Sequence, residues 1–331
     1  MNDIVVFGIL LVLALSFDFL NGFHDSANVV ATMIASRALS PRLALTMAAS
    51  ADFLGPLLFG TAVAKTVGDG LVVQNVVTIT MVTAALLAAS LWNIATWWFG
   101  IPSSSSHALV GGLVGGAIAL GGWNAVILSG LYKVLLALFL SPLLGFAVGW
   151  IVLRLTLLFT RRATPKINRT FNRLQILTGG TLALSHGAND AQKTMGIITM
   201  GLLALGFQDS FHVPLWVILA SASAIATGTA TGGWRIIHTL GGKFYRIRPI
   251  HSLTSQFASA SVILGASLLG GPVSTTHVVS SSIVGVGASE RMSKVRWTNL
   301  TDIGIAWVVT IPVTLALSAI FYYILRIFMG A

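Results

Sequence analysis

Long apolar runs recur along this chain, at 4–20, 76–98, 125–153, 213–227 and 303–327. Several reach the ~20 residues that a helix needs to cross a bilayer. None alternates polar and apolar residues with a period of two. Backbone groups in hydrocarbon must pair internally, as helices or as a closed barrel, and runs of this kind select helices. Charged residues make up only 8% of the sequence, against roughly 25% in a soluble domain. That is too few to cover a water-facing surface. The expected fold is an all-α polytopic membrane protein.

The chain has no cysteine, which excludes disulfides, thiolate chemistry and zinc–thiolate sites. Its opening, MNDIVVFGILLVLALSFDFL, lacks a basic n-region and a small-residue cleavage site. It reads as a first transmembrane segment and not as a signal peptide. The net charge of +10 does not point to nucleic acid, because 15 of the 19 Lys and Arg fall in four places. These are Arg37/Arg42, the 154–173 stretch, the 235–248 stretch and the 291–296 stretch. Short loops rich in Lys and Arg face the cytoplasm. The basic balance is a statement about topology.

Two motifs occur twice. GFHDSANVV (22–30) is echoed by GANDAQKTM (187–195), and IPSSSSHALVGGLVGG (101–116) by GPVSTTHVVSSSIVGV (271–286). Gly22 and Asp25 correspond to Gly187 and Asp190, and Pro102 and His107 to Pro272 and His277. The basic loops, however, swap: Arg37 and Arg42 follow the first motif, whereas the equivalent GFQDSFH (206–212) has no Lys or Arg. The halves are therefore expected to be inverted in the membrane, which requires an odd number of crossings each. Five per half are expected, near 4–36, 43–63, 74–98, 105–120 and 124–156 in the first. Broken or re-entrant segments bring the total to between ten and twelve. The division is 1–156, a basic cytoplasmic linker at 157–173, and 174–331, with both termini non-cytoplasmic. Inverted repeats with interrupted helices are the architecture of secondary transporters, which bind substrate at mid-membrane.

Each motif suggests its own chemistry. A carboxylate inside a membrane is costly and faces the bundle interior with a partner. Gly22 and Gly187 can break a helix, which would free carbonyls near Asp25 and Asp190. With the amides of Asn28 and Asn189, this gives an all-oxygen donor set that suits sodium better than a transition metal. Protons are the rival, since a buried carboxylate can titrate. The structural alternative is that both aspartates cap helices. The runs Ser103–Ser106 and Ser274–Thr276 each follow a proline and read as helix starts. A helix N-terminus offers unpaired N–H groups and a partial positive charge to an oxyanion. Ser104, Ser105, Ser106, Ser274, Thr275 and Thr276, with Asn28 and Thr194, form the expected anion set. Asp52, Gln256 and Asn189 join Asp25, Asn28 and Asp190 in the expected cation set. Lys193 stands in the second motif where the first has Asn28, and can pair with Asp190, touch the anion or snorkel to a boundary. His107 and His277 are ligands, proton carriers or packed histidines. Phosphate near neutral pH keeps a proton to donate to a carboxylate and sulfate does not, which favours phosphate.

NGFHDSANVVATMIASRALSP (21–41), WNIATWWFGIPSSSSHALVGG (92–112), SHGANDAQKTMG (185–196) and GGPVSTTHVVSSSIVGVG (270–287) closely resemble the inorganic phosphate transporter (PiT) family. The resemblance spans nearly the whole chain, in order. It implies secondary transport of inorganic phosphate coupled to sodium or protons, inverted repeats and a homodimer. It also implies a cation and phosphate role for Asp25, Asn28 and Asp190 and a phosphate role for the hydroxyl runs. Asp52 and Gln256 stand where animal relatives carry glutamate; the acid lost at Gln256 bears on the number and identity of the coupling ions. The short linker at 157–173 replaces a long loop of animal members and looks prokaryotic.

The expectation is a sodium–phosphate symporter importing phosphate across the cell (inner) membrane, with sodium as coupling ion and no other cofactor. A proton-coupled phosphate or sulfate symporter of the same fold is the alternative. An intramembrane hydrolase using one serine, His107 and an aspartate needs its machinery once; the doubled motifs argue against an enzyme.

Overall fold

A computed structural model describes residues 2–233, 235–237 and 245–329. Part of the basic 235–248 stretch, including Lys243, lies outside the described residues. The chain is a helical bundle. Its first half contains α1 (Asp3–Ala35), α2 (Pro41–Leu58), α3 (Ala62–Asp69), α4 (Ile79–Phe99), α5 (Ser105–Gly121) and α6 (Leu128–Thr160). Its second half contains α7 (Ile167–Ala204), α8 (Leu215–Thr231), α9 (Pro249–Leu268), α10 (Thr275–Glu290) and α11 (Trp297–Met329). Much of 157–173 is helical, as the end of α6 and the start of α7.

Among the described residues, five helices are long and apolar enough to cross a membrane, and a bent pair, α2 with α3, adds a sixth. The bend between them is 76°. The apolar residues are distributed as lipid requires. Leu136, Leu143, Phe159, Val308 and Ile327 are more than half exposed, while Ser141, Asn189, Thr310 and Thr314 are buried. In water such an outer face would be an adhesive patch; in lipid it is the solvated one.

The halves are interleaved. α5 packs on α11 and α10 on α6, so each hydroxyl-motif helix lies on the last helix of the other half. Likewise α1 packs on α8 and α7 on α2. α1 and α7 run antiparallel: Leu10 lies at Gly201, Asn21 at Asp190 and Met33 at Gly179. Equivalent residues meet where the halves join, and the rings of His107 and His277 are 4.4 Å apart. His277 also stacks on Trp307.

One expectation fails. Gly22 and Gly187 do not break their helices, for α1 and α7 are continuous through both, and no carbonyl is freed there. The glycines instead permit close packing. A Cβ on Gly22 would collide with the backbone of Ile225 in α8, and one on Gly187 with that of Asp52 in α2. Gly228 and Gly55 return the arrangement, facing Phe19 and Leu184. The interruptions fall elsewhere, at the α2–α3 bend and in the non-helical stretches at 101–104 and 271–274 that precede α5 and α10.

Three of the four basic stretches meet at one end of the bundle. Arg37, Arg246, Arg248 and Arg296, from three separate loops, line a single cavity of about 580 Å³ there. Bringing like charges together from distant positions is expected on the cytoplasmic face.

Candidate functional site

The helical repeat of α1 sets Asn21, Asp25 and Asn28 on one face, since residues three and four apart are neighbours. All three are buried. Opposite them is the head of α10. Ser274 caps that helix, accepting from the His277 amide at 3.2 Å, and Ser104 caps α5 by accepting from the His107 amide at 3.1 Å. These two hydroxyls of the expected anion set are thus engaged as N-caps. The next residues of the α10 run face the carboxylates.

Thr276 donates to Asp25 Oδ1 (3.1 Å) and accepts from Asn28 Nδ2 (3.0 Å). Thr275 Oγ1 is 3.2 Å from Asp25 Oδ2 and also 3.2 Å from Asp190 Oδ2. A hydroxyl has one proton to donate, so it serves one of the two carboxylates at a time. His24 Nδ1 lies 2.8 Å from Asp25 Oδ1.

The second half supplies a related arrangement. Asp190 accepts from Asn21 Nδ2 (3.3 Å) and from Lys193 Nζ (2.6 Å). The same ammonium donates to Ser106 Oγ (2.6 Å) and the Val273 carbonyl (3.2 Å). His186 Nε2 is 3.6 Å from Asp190 Oδ2, and its Nδ1 is 2.9 Å from Asp52 Oδ1. Thr229 donates to Asp52 Oδ2 at 2.6 Å. Asp52 thus reaches Asp190 through His186.

Asp25, His186 and Asp190 each present a ligand atom within 4.8 Å of the others. Two negative carboxylates so close repel one another unless positive charge lies between them. Around them, Asn21 Oδ1, Asn28 Oδ1 and Asn189 Oδ1 are buried without a hydrogen-bond partner. Unpaired buried oxygens beside paired carboxylates are what a hard cation would satisfy.

The other expected residues are placed as follows. Ser105 is buried at the first position of α5. Asn189 donates to Ser267 and the Gly271 carbonyl, so its amide holds the loop before α10. Gln256 donates to Thr32 and Ser252 and accepts from Thr178, which sets it two turns along α1 from Asp25. Thr194 is buried. It turns its hydroxyl towards Asp18, a buried carboxylate that sequence reading missed. The signal was present, since Asp18 precedes Asp25 by seven residues and shares its helical face. His24 and His186 were missed as well; each lies one turn or less from its aspartate.

An interleaved membrane bundle with carboxylates, hydroxyls and one ammonium buried at its centre is a polytopic transport protein. The sequence matches the phosphate transporter family over residues 21–165 and 158–318, and the chain belongs to that family. It is a transporter of phosphate and not an enzyme. It is 45% identical over 333 residues to the probable low-affinity inorganic phosphate transporter of Bacillus subtilis (strain 168), covering 98% of this chain and 99% of that one. It is also 45% identical to the protein so described from Rhizobium meliloti (strain 1021), over 95% of both chains. Among solved structures it resembles "The sodium-dependent phosphate transporter", with a TM-score of 0.91 at 25% identity, covering 98% of this chain and 99% of that one.

Proposed function

We propose that the protein imports inorganic phosphate across the cell (inner) membrane by symport with sodium, as two inverted repeats around one central site. The observation that carries this reading is the Thr275 hydroxyl held 3.2 Å from both Asp25 and Asp190. One donor between two buried carboxylates leaves negative charge that a coupling cation would balance. Asp25, Asn28, Thr275 and Thr276 offer oxygens only, which suits sodium. The antiparallel run of α1 and α7 supports the inversion, and the sodium-dependent structural relative supports the ion.

Phosphate is assigned to the converging heads of α5 and α10. First-turn N–H groups have no intrahelical acceptor and attract oxyanions. Ser105 and Ser106 on one side and Thr275 and Thr276 on the other add hydroxyls without fixed charge. Binding a cation at Asp25 lowers the repulsion that the carboxylates exert on phosphate, so each ligand strengthens the other. Each net positive charge moved inward down the potential gains ~2.3 kcal/mol per 100 mV. The homodimer that the family resemblance implies belongs to the same proposal.

Uptake of radiolabelled phosphate into proteoliposomes, under an inward sodium gradient or an inward proton gradient, tests the reading. Sodium-driven uptake that excess sulfate does not inhibit is the expected result. Uptake driven by protons alone would reject sodium coupling, and entry of sulfate in place of phosphate would reject the substrate assignment at this site.

A further inference from the structure

Among the positions at which the two halves differ within the site, one exchanges a neutral amide for an ammonium. Asn28 in α1 and Lys193 in α7 occupy corresponding places, each three residues after its aspartate. Thr276 and Ser106 correspond in the same way within the hydroxyl runs. The contacts correspond too: Asn28 donates to Thr276 at 3.0 Å, and Lys193 donates to Ser106 at 2.6 Å. In the first cage a neutral amide reaches the hydroxyl and leaves the negative charge of Asp25 for something else to balance. In the second, a positive nitrogen sits among three oxygens, those of Asp190, Ser106 and Val273. The ammonium is buried, and the chain supplies it permanently.

We infer that the Lys193 ammonium is a tethered cation that fills the second of two equivalent cation cages, so that this transporter couples one mobile cation fewer than its doubled motif provides for. The inference rests on the reading of the Asp25 cage as a cation site. Charge makes the replacement effective. Asp18, Asp25, Asp52 and Asp190 are all buried, and Lys193 is the one fully buried Lys or Arg among the described residues. An ammonium donates up to three hydrogen bonds, and Lys193 makes three. It cannot dissociate, so the second cage stays neutralised on both sides of the membrane and needs no reloading between cycles. The first cage is left as the one whose occupancy follows the ion gradient.

Lys193→Asn restores the first motif's residue in the second and tests this directly. Protein purified in sodium is assayed for 22Na+ bound per chain and, in proteoliposomes, for 22Na+ moved per labelled phosphate. The variant is expected to bind one more sodium per chain than wild type, and its sodium-to-phosphate ratio to rise by one. Lys193→Gln, closer to lysine in length, is expected to gain the same bound ion. An unchanged count in both variants would overturn the inference. So would failure of both to fold in sodium, because the first half is built around asparagine at this very position. If wild type moves phosphate with no sodium at all, sodium coupling fails as a proposal, yet a newly bound sodium in Lys193→Asn still supports the tethered cation.

Discussion

Asn28 donates its side-chain amide to Thr276, 3.0 Å away and 248 positions along the chain. Thr276 in turn donates its own hydrogen bond to Asp25, so three side chains from two halves form one ordered chain of hydrogen bonds. The bond also fixes which way the amide points: nitrogen to the hydroxyl, oxygen unpaired and available to a ligand.

Losing that bond leaves a buried hydroxyl short of a partner, at about 1–3 kcal/mol. Such a loss is about fivefold to somewhat over a hundredfold in an equilibrium constant. Asn28→Ala is therefore expected to weaken sodium-dependent phosphate uptake by at least about fivefold at limiting sodium. Initial rates measured across a sodium series check this, and an unchanged sodium dependence would remove Asn28 from the cage.

Gly22 and Gly187 were legible in the sequence as paired special positions, but their physical role was not. A glycine in an apolar helix reads equally as a break or as a site of close approach, and only the neighbour decides. Here the neighbours are the backbones of Ile225 and Asp52. Gly22→Ala and Gly187→Ala are each expected to lower the thermal midpoint in detergent, with overpacking costs of about 1–3 kcal/mol. A midpoint equal to wild type would mean that the helices can part without cost.

Asp18 makes a different prediction, because its carboxyl is buried and faced by a neutral hydroxyl, that of Thr194. A buried carboxylate without a cationic partner costs stability, and an amide of the same shape costs less. Asp18→Asn is expected to raise the thermal midpoint in sodium-free choline buffer. A lower midpoint would show that the carboxylate has a stabilising partner.

At the basic end, Glu290 receives hydrogen bonds from Arg248 and Lys294 and lies 3.0 Å from His251. Partial burial opposes its ionisation, but the Lys294 hydrogen bond and the charges of His251, Arg248 and Lys294 outweigh this and hold its carboxyl down at about 2. A depressed carboxyl contributes stability above its unfolded value, about 4.3, and loses it as pH falls from there towards about 2. Glu290→Gln is expected to be less stable than wild type at neutral pH, with the gap narrowing as the medium is acidified through that window. Thermal midpoints of both proteins across the acid range measure it, and a constant gap would contradict the account.

Much of the architecture could be read from the sequence because lipid leaves few choices. Apolar length specified helices, and the recurrence of GFHD and GAND named both carboxylates at the centre. What stayed hidden was pairing. Nothing in the sequence says that Thr275 meets both aspartates, that His186 joins Asp52 to Asp190, or that Ser104 and Ser274 serve as caps while their neighbours face the site. These depend on how two helices from different halves are phased, which hydrophobic patterning does not encode in a bundle polar within and apolar without. Gln256 illustrates the limit: it is expected among the cation ligands, and its buried amide is engaged by Thr32, Thr178 and Ser252.

The central claim is that a cation at the Asp25 cage and phosphate at the paired helix heads strengthen each other's binding. Equilibrium binding of labelled phosphate to the purified protein, titrated with sodium at constant ionic strength, tests it most directly. Sodium is predicted to tighten phosphate binding in the wild type, and Asp25→Asn to abolish that enhancement. Phosphate affinity that ignores sodium in the wild type, or that still rises with sodium in Asp25→Asn, would contradict the claim.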